Sequence, residues 1–151
     1  MRVAVGADEA LPVAVAVVEC LRALGHECVC VGPLADNQIE WAEVAGQVGQ
    51  RVARGDAEWG IVLCWSGTGV AIAANKVPGV RAALCVDAET ARLARRYNHA
   101  NILALSMRLT SHAVATEIVR AFADEPYGQE DFDLRNVARV TALDTRKKDP
   151  R

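Results

Sequence analysis

The chain has 151 residues, of which 52% are hydrophobic and 24% charged, with a formal net charge of −2. Such a length buries one substantial core without disulfide or metal staples, and so balanced a charge excludes a broad nucleic-acid footprint. Ala10 to Leu24 contains Pro12, Glu19 and Arg22 and is too short to span a bilayer.

Short apolar runs alternate with longer amphipathic ones. Val3 to Gly6 reads as a strand that breaks at Gly6 with Asp8-Glu9 behind it, which is no signal peptide. Val13 to Leu24 reads as a helix stopped by Gly25. Glu27 to Val31 is a second strand, and a loop through Asp36-Asn37 leads to a helix from about Ile39 to Arg54. Trp59 to Cys64 is the third strand, Val70 to Asn75 a short helix, and Arg81 to Cys85 the fourth strand. Asp87 and Ser111 are placed to cap helices running through Tyr97 and to about Ala123. Ile102 to Leu105 is the fifth strand, and the last helix ends near Thr145. The five cysteines, Cys20, Cys28, Cys30, Cys64 and Cys85, are odd in number and form no CxxC pair. That pattern fits a reducing cytoplasm rather than a disulfide framework.

Five apolar strands alternating with helices predict an α/β protein with a parallel sheet covered on both faces. The expected architecture is a three-layer Rossmann-like sandwich with a C-terminal helix. It forms one domain over residues 1–145, followed by a charged, frayed tail, 146–151. Ligands on such sheets bind outside the carboxyl ends of the strands. Asp8 stands at that end of the first strand and Cys64 at that end of the third.

Cys64-Trp65-Ser66-Gly67-Thr68-Gly69 places a thiol where a strand stops and a glycine-rich turn enters a helix. Helix N-termini favour thiolates, and turn amides can hold an oxyanion while the thiolate takes a proton from carbon. Asp8 also stands where it could simply cap the first helix. Arg135 and Arg139 are four apart on the last helix and can converge on one phosphate, or form a solvated basic face. Asn101 reads as a local turn residue and His99 as a surface-loop histidine.

Taken together, the segments Gly6-Ala7-Asp8, Cys64 to Pro78, Ala82 to Cys85, and Asn98 to Ala104 resemble the ribose-5-phosphate isomerase type B / galactose-6-phosphate isomerase family. So does the Arg135, Arg139 pair followed by Val140. The likeness runs from Val3 to about Leu143, and Ala73 to Cys85 is its most specific part. It implies aldose–ketose isomerisation of a phosphorylated sugar through a cis-enediolate, with no metal and no cofactor. The catalytic residues it implies are Cys64 as the base between C1 and C2, Ser66 in the oxyanion turn, Asp8 on the sugar hydroxyls, and Tyr97. Gly67, Thr68, Gly69, Asn98, Glu9 and Trp65 would line the substrate. Arg108, Arg135 and Arg139 would bind its phosphate. The family builds dimers, sometimes paired into tetramers, with sites completed across the interface.

Three positions depart from the family pattern. Glu9 and Tyr97 stand where histidines are usual, the second of them credited with ring opening, and Trp65 replaces a glycine. His99 is a candidate substitute for the lost ring-opening group. Trp65 would narrow the pocket, or be forced out of it if the backbone there needs glycine. These changes point to a short or acyclic sugar phosphate, such as a tetrulose phosphate. A non-catalytic sugar-phosphate binder, or one subunit of a mixed assembly, is the alternative, although a binder needs no base at Cys64. A flavin or nucleotide site is disfavoured, because no GxGxxG follows the first strand.

Overall fold

The structure is a computed structural model and describes residues 1–145. The expected charged tail, 146–151, lies outside them. The elements are β1 (Arg2–Ala7), α1 (Pro12–Ala23), β2 (Glu27–Val31), a 3-10 turn (Gly32–Ala35), α2 (Trp41–Ala53), β3 (Trp59–Cys64) and α3 (Thr68–Ala74). There follow β4 (Ala82–Leu84), α4 (Ala88–Asn98), β5 (Ile102–Ser106), α5 (His112–Asp124) and α6 (Asp131–Leu143). The five strands form one parallel sheet in the order β2-β1-β3-β5-β4. No helix among the described residues is long and apolar enough to cross a membrane.

The strands are apolar because both faces of the sheet are covered. All six residues of the central strand β3 are buried. One face packs Val5, Leu63 and Leu105 against Leu21 of α1, Ala91 of α4 and Phe122 of α5. The other packs Val62 and Ile102 beneath Val44 and Val48 of α2 and Val70 of α3. The three-layer sandwich expected from the sequence is therefore the observed one. Both expected caps are present: the Thr90 amide donates to Asp87 Oδ1 at 2.7 Å, and the Val114 amide to Ser111 Oγ at 3.3 Å.

Some boundaries differ from expectation for local reasons. Helix α3 starts at Thr68 rather than Val70, because Gly67 supplies its N-cap in the left-handed region. The segment after β2 coils into a 3-10 turn opened by Pro33. The family-like stretch from Ala73 to Cys85 holds the fold together. Asn75 Nδ2 donates to the carbonyls of Ala71 and Ala82, and Asn75 Oδ1 accepts from the Ala82 amide. Asn101 Oδ1 accepts from the Arg81 amide at 2.7 Å while its Nδ2 donates to Gly79. Asn101 is thus the local, structural residue its sequence context suggested.

Helix α2 sits close on the sheet because Gly6 of β1 has no side chain. A Cβ there would stand 2.5 Å from Val44 Cγ1 and 2.9 Å from Val48 Cγ2. The close seat matters, since α2 begins with Trp41 at the carboxyl end of the sheet. Gly6→Ala is expected to overpack this contact and cost about 1–3 kcal/mol. A lower urea midpoint at unchanged slope would show it.

Candidate active site

β1 and β3 are neighbours in the sheet, while β2 lies on the far side of β1. The gap between the carboxyl ends of β1 and β3 is therefore the point where strand order reverses, and a crevice opens there. Asp8 and Cys64 leave these two strands. With Trp41, Trp65, Ser66, Thr68 and Gly69 they line a cleft of about 340 Å³.

The backbone under Cys64 is held from two sides. Its carbonyl accepts from the Met107 amide, and the Trp65 carbonyl accepts from the Arg108 amide, each at 3.0 Å. Ser106 Oγ adds a third bond to the Trp65 carbonyl at 2.9 Å. The Gly67 amide donates to Cys64 Sγ at 3.2 Å, so the turn that follows the thiol also solvates it. Gly67 itself has φ +76°, and a Cβ would stand 2.9 Å from the backbone of Leu105 and Ser106. Here the glycine is obligatory. Trp65, by contrast, lies outside the left-handed region, which among the described non-glycine residues holds only Asp36 and His99. The concern that Trp65 occupies a glycine-only conformation is corrected by this observation. Its indole stands 57% exposed in the cleft wall.

Of the five free thiols, Cys64 alone lines this cleft. Burial pushes the thiols of Cys28 and Cys30 up, and that of Cys85 to about 12. Those three behave as small apolar side chains.

Asp8 does not cap α1. The N-cap there is Leu11, with no side-chain bond, because Pro12 opens the helix. Asp8 Oδ1 is buried without a partner among the described residues. Desolvation pushes the carboxyl above its ordinary value of 3.8, with the Glu9 charge adding and its own amide opposing. Glu9 itself is exposed. Asp8 as a residue still lines the cleft, where its carboxylate can accept a hydroxyl group. Among the described residues, no three His, Cys, Asp or Glu side chains gather to hold a metal ion.

Trp41 was not found from the sequence. Its ring lies over Gly69, where a Cβ would come within 3.0 Å of it. The available signal was a large aromatic opening the helix that follows β2.

The remaining predicted residues lie elsewhere. Helix α4 runs back against the strand direction, so Tyr97 and Asn98 end up near the amino end of the sheet. They line a hollow of about 310 Å³ with Asn75, Arg81, Asn136, Val137 and Val140. A strand of five or six residues spans about 17–20 Å, so this corner and Cys64 do not meet within one chain. Arg135 and Arg139 are exposed on α6, beside Asn136 and Val140, which face the hollow. Arg108 is exposed next to Trp65 at the carboxyl end. His99 is 8% exposed, with its ring nitrogen Nε2 2.9 Å from the Gly128 carbonyl. It is not the surface-loop residue expected from the sequence.

Residues 3–143 match the family model described as Ribose/Galactose Isomerase. The chain belongs to this family. It is therefore one of the sugar-phosphate aldose–ketose isomerases, as the sequence resemblance implied. Ribose-5-phosphate isomerase B of Mycobacterium tuberculosis is 36% identical over 91% of this chain and 86% of its own length. A D-erythrulose-4-phosphate isomerase of Pectobacterium atrosepticum is 38% identical over 63% of this chain and 62% of its own. The solved type B ribose 5-phosphate isomerase of Trypanosoma brucei superposes with a TM-score of 0.88. It shares 41% identity and covers 94% of this chain and 97% of its own.

The elevated Asp8 carboxyl makes a prediction about stability in this isomerase. The folded chain binds that proton more readily than the unfolded chain, so stability declines as pH rises from 3.8 through the raised value. Asp8→Asn removes that decline. The variant should melt at or above the wild-type temperature at pH 7, and the difference should vanish on acidification below pH 3.8. Thermal melts across that range check it.

Proposed function

We propose that the chain isomerises a short phosphorylated sugar, with Cys64 as the carbon base and a second copy of the chain completing the site. The observation that carries this reading is the shared cleft of Cys64 and Asp8, beneath the Ser66–Gly69 turn. A ketose phosphate held there presents C1 and C2 to the thiolate. Cys64 takes a proton from one carbon and returns it to the other. The intervening enediolate oxygen is received by amides at the start of α3, which have no partners within the helix. Asp8 accepts a sugar hydroxyl and steadies the chain of the substrate.

Tyr97 and Asn98 stand too far from Cys64 to serve it within one chain. A second copy, docked so that its corner faces this cleft, would supply both. The apolar residues left exposed on α6, Phe132, Leu134, Val140 and Leu143, support such an interface. So do exposed Ile72 on α3 and Leu109 after β5. Arg108 would then join Arg135 and Arg139 of the second copy around the phosphate. A homodimer, or a pair of dimers, is the proposed assembly.

Substrate length follows from what the site has and lacks. A four-carbon sugar phosphorylated on its terminal oxygen has no hydroxyl free to close a five-membered ring, so it needs no ring-opening histidine at Tyr97. Two indoles, Trp41 and Trp65, narrow the cleft. One relative is itself named for a tetrulose phosphate. A panel of tetrulose, pentose and hexose phosphates should give the highest kcat/KM with the tetrulose phosphate, by tenfold or more. Turnover of ribose 5-phosphate with tetrulose phosphates inert would contradict this.

Cys64→Ala should lower kcat by about 10²–10⁴ while changing KM less than about threefold. It should also abolish uptake of deuterium from heavy water at C1 and C2. Deuterium uptake at the wild-type rate in this variant would remove Cys64 from the role of base.

A further inference from the structure

The corner that carries Tyr97 and Asn98 is gripped through the residue behind it. His99 closes α4 at φ 49° and ψ 41°, a left-handed conformation that non-glycine residues seldom adopt. Its Nε2 donates to the Gly128 carbonyl at 2.9 Å. Its ring stacks on Tyr127, with centroids 4.5 Å apart and planes within 10°. Tyr127 is fixed in turn: its hydroxyl accepts from Arg95 Nη1 at 2.8 Å, and that guanidinium lies 4.4 Å from its ring centroid. Arg95 Nη1 also donates to the Ala100 carbonyl at 2.7 Å, just past the corner. The Gly128 amide closes the loop onto the Arg96 carbonyl at 2.8 Å. From the other side, Arg81 Nε donates to the His99 carbonyl at 2.9 Å.

Residue 99 is therefore held through its ring and its carbonyl, whereas Tyr97 and Asn98 project from the surface. Both lie in the last turn of α4, and His99, as its C-cap, fixes where that turn sits against the Gly128 loop. We infer that His99, stacked on Tyr127 and bonded to Gly128, is a positioning residue that aims the Tyr97–Asn98 corner at the cleft of a second chain. This rests on the two-chain reading above. The arrangement spends an aromatic stack and a buried imidazole on a turn that asparagine could make unaided. Such an expense is accounted for if a small misplacement of Asn98 is costly, as it is for groups that orient a reacting substrate.

Mixed assemblies separate positioning from folding. A Cys64→Ala chain co-assembled with an Asn98→Ala chain has one working site: the cleft comes from the second chain, the corner from the first. His99→Asn keeps the left-handed turn and removes the ring. Placed in the Cys64→Ala chain, it should lower kcat/KM of the mixed assembly about tenfold, measured with the sugar phosphate that the wild-type chain turns over fastest. Placed in the Asn98→Ala chain, it should have no further effect, since that corner is already disabled. Equal losses in both arrangements, or no loss in either, would overturn the assignment of His99. A mixed assembly without any regained activity would instead overturn the two-chain reading, and the inference with it.

Discussion

The direction of a parallel sheet governs how this molecule can work. Every strand delivers its following loop to one end, so Asp8, Cys64 and the turn after Cys64 gather there by necessity. Each helix that follows a strand then returns the chain to the other end. Tyr97 and Asn98, at the close of α4, are carried away from the thiol by a full strand length. No local adjustment of side chains can bridge that separation. The proposed site therefore draws on opposite ends of one sheet, and the proposed pairing of chains is the direct way to bring them together.

Each half is rigid for its own physical reason. The cleft half is braced by backbone bonds from the β5–α5 turn to the carbonyls of Cys64 and Trp65, and by the obligatory glycine at 67. Within that frame Asp8 keeps a buried oxygen without a partner among the described residues, which costs folding energy. The corner half is braced by the stack of His99 on Tyr127 and the guanidinium of Arg95.

Much of this was legible in the sequence, and the exceptions are instructive. Apolar runs gave β2 and β3 to the residue; β3, buried throughout, leaves the continuous signal of a strand covered on both faces, while the edge strand β2 buries only Val31. Asp87 and Ser111 announced their caps. The carboxyl-end rule paired Asp8 with Cys64 before any coordinates. Trp41 escaped notice because its place depends on how closely α2 seats on Gly6, a packing distance that no periodicity encodes. His99 was misplaced for a similar reason. Its burial comes from Tyr127 and Gly128, which lie 28 and 29 positions further along the chain. The most family-like stretch, Ala73 to Cys85, proved to be structural, with Asn75 tying α3 to β4.

The central claim is that one chain's corner meets another chain's cleft, and cross-linking measures it most directly. Asn98→Cys chains, mixed in light and ¹⁵N-labelled forms, can be joined by a short bis-maleimide, digested and weighed. Peptides linking position 98 to Cys64 are predicted to include light–heavy pairs, and a sugar phosphate in the site should suppress them. Links between these two positions confined to single-isotope peptides would place both halves in one chain and contradict the account.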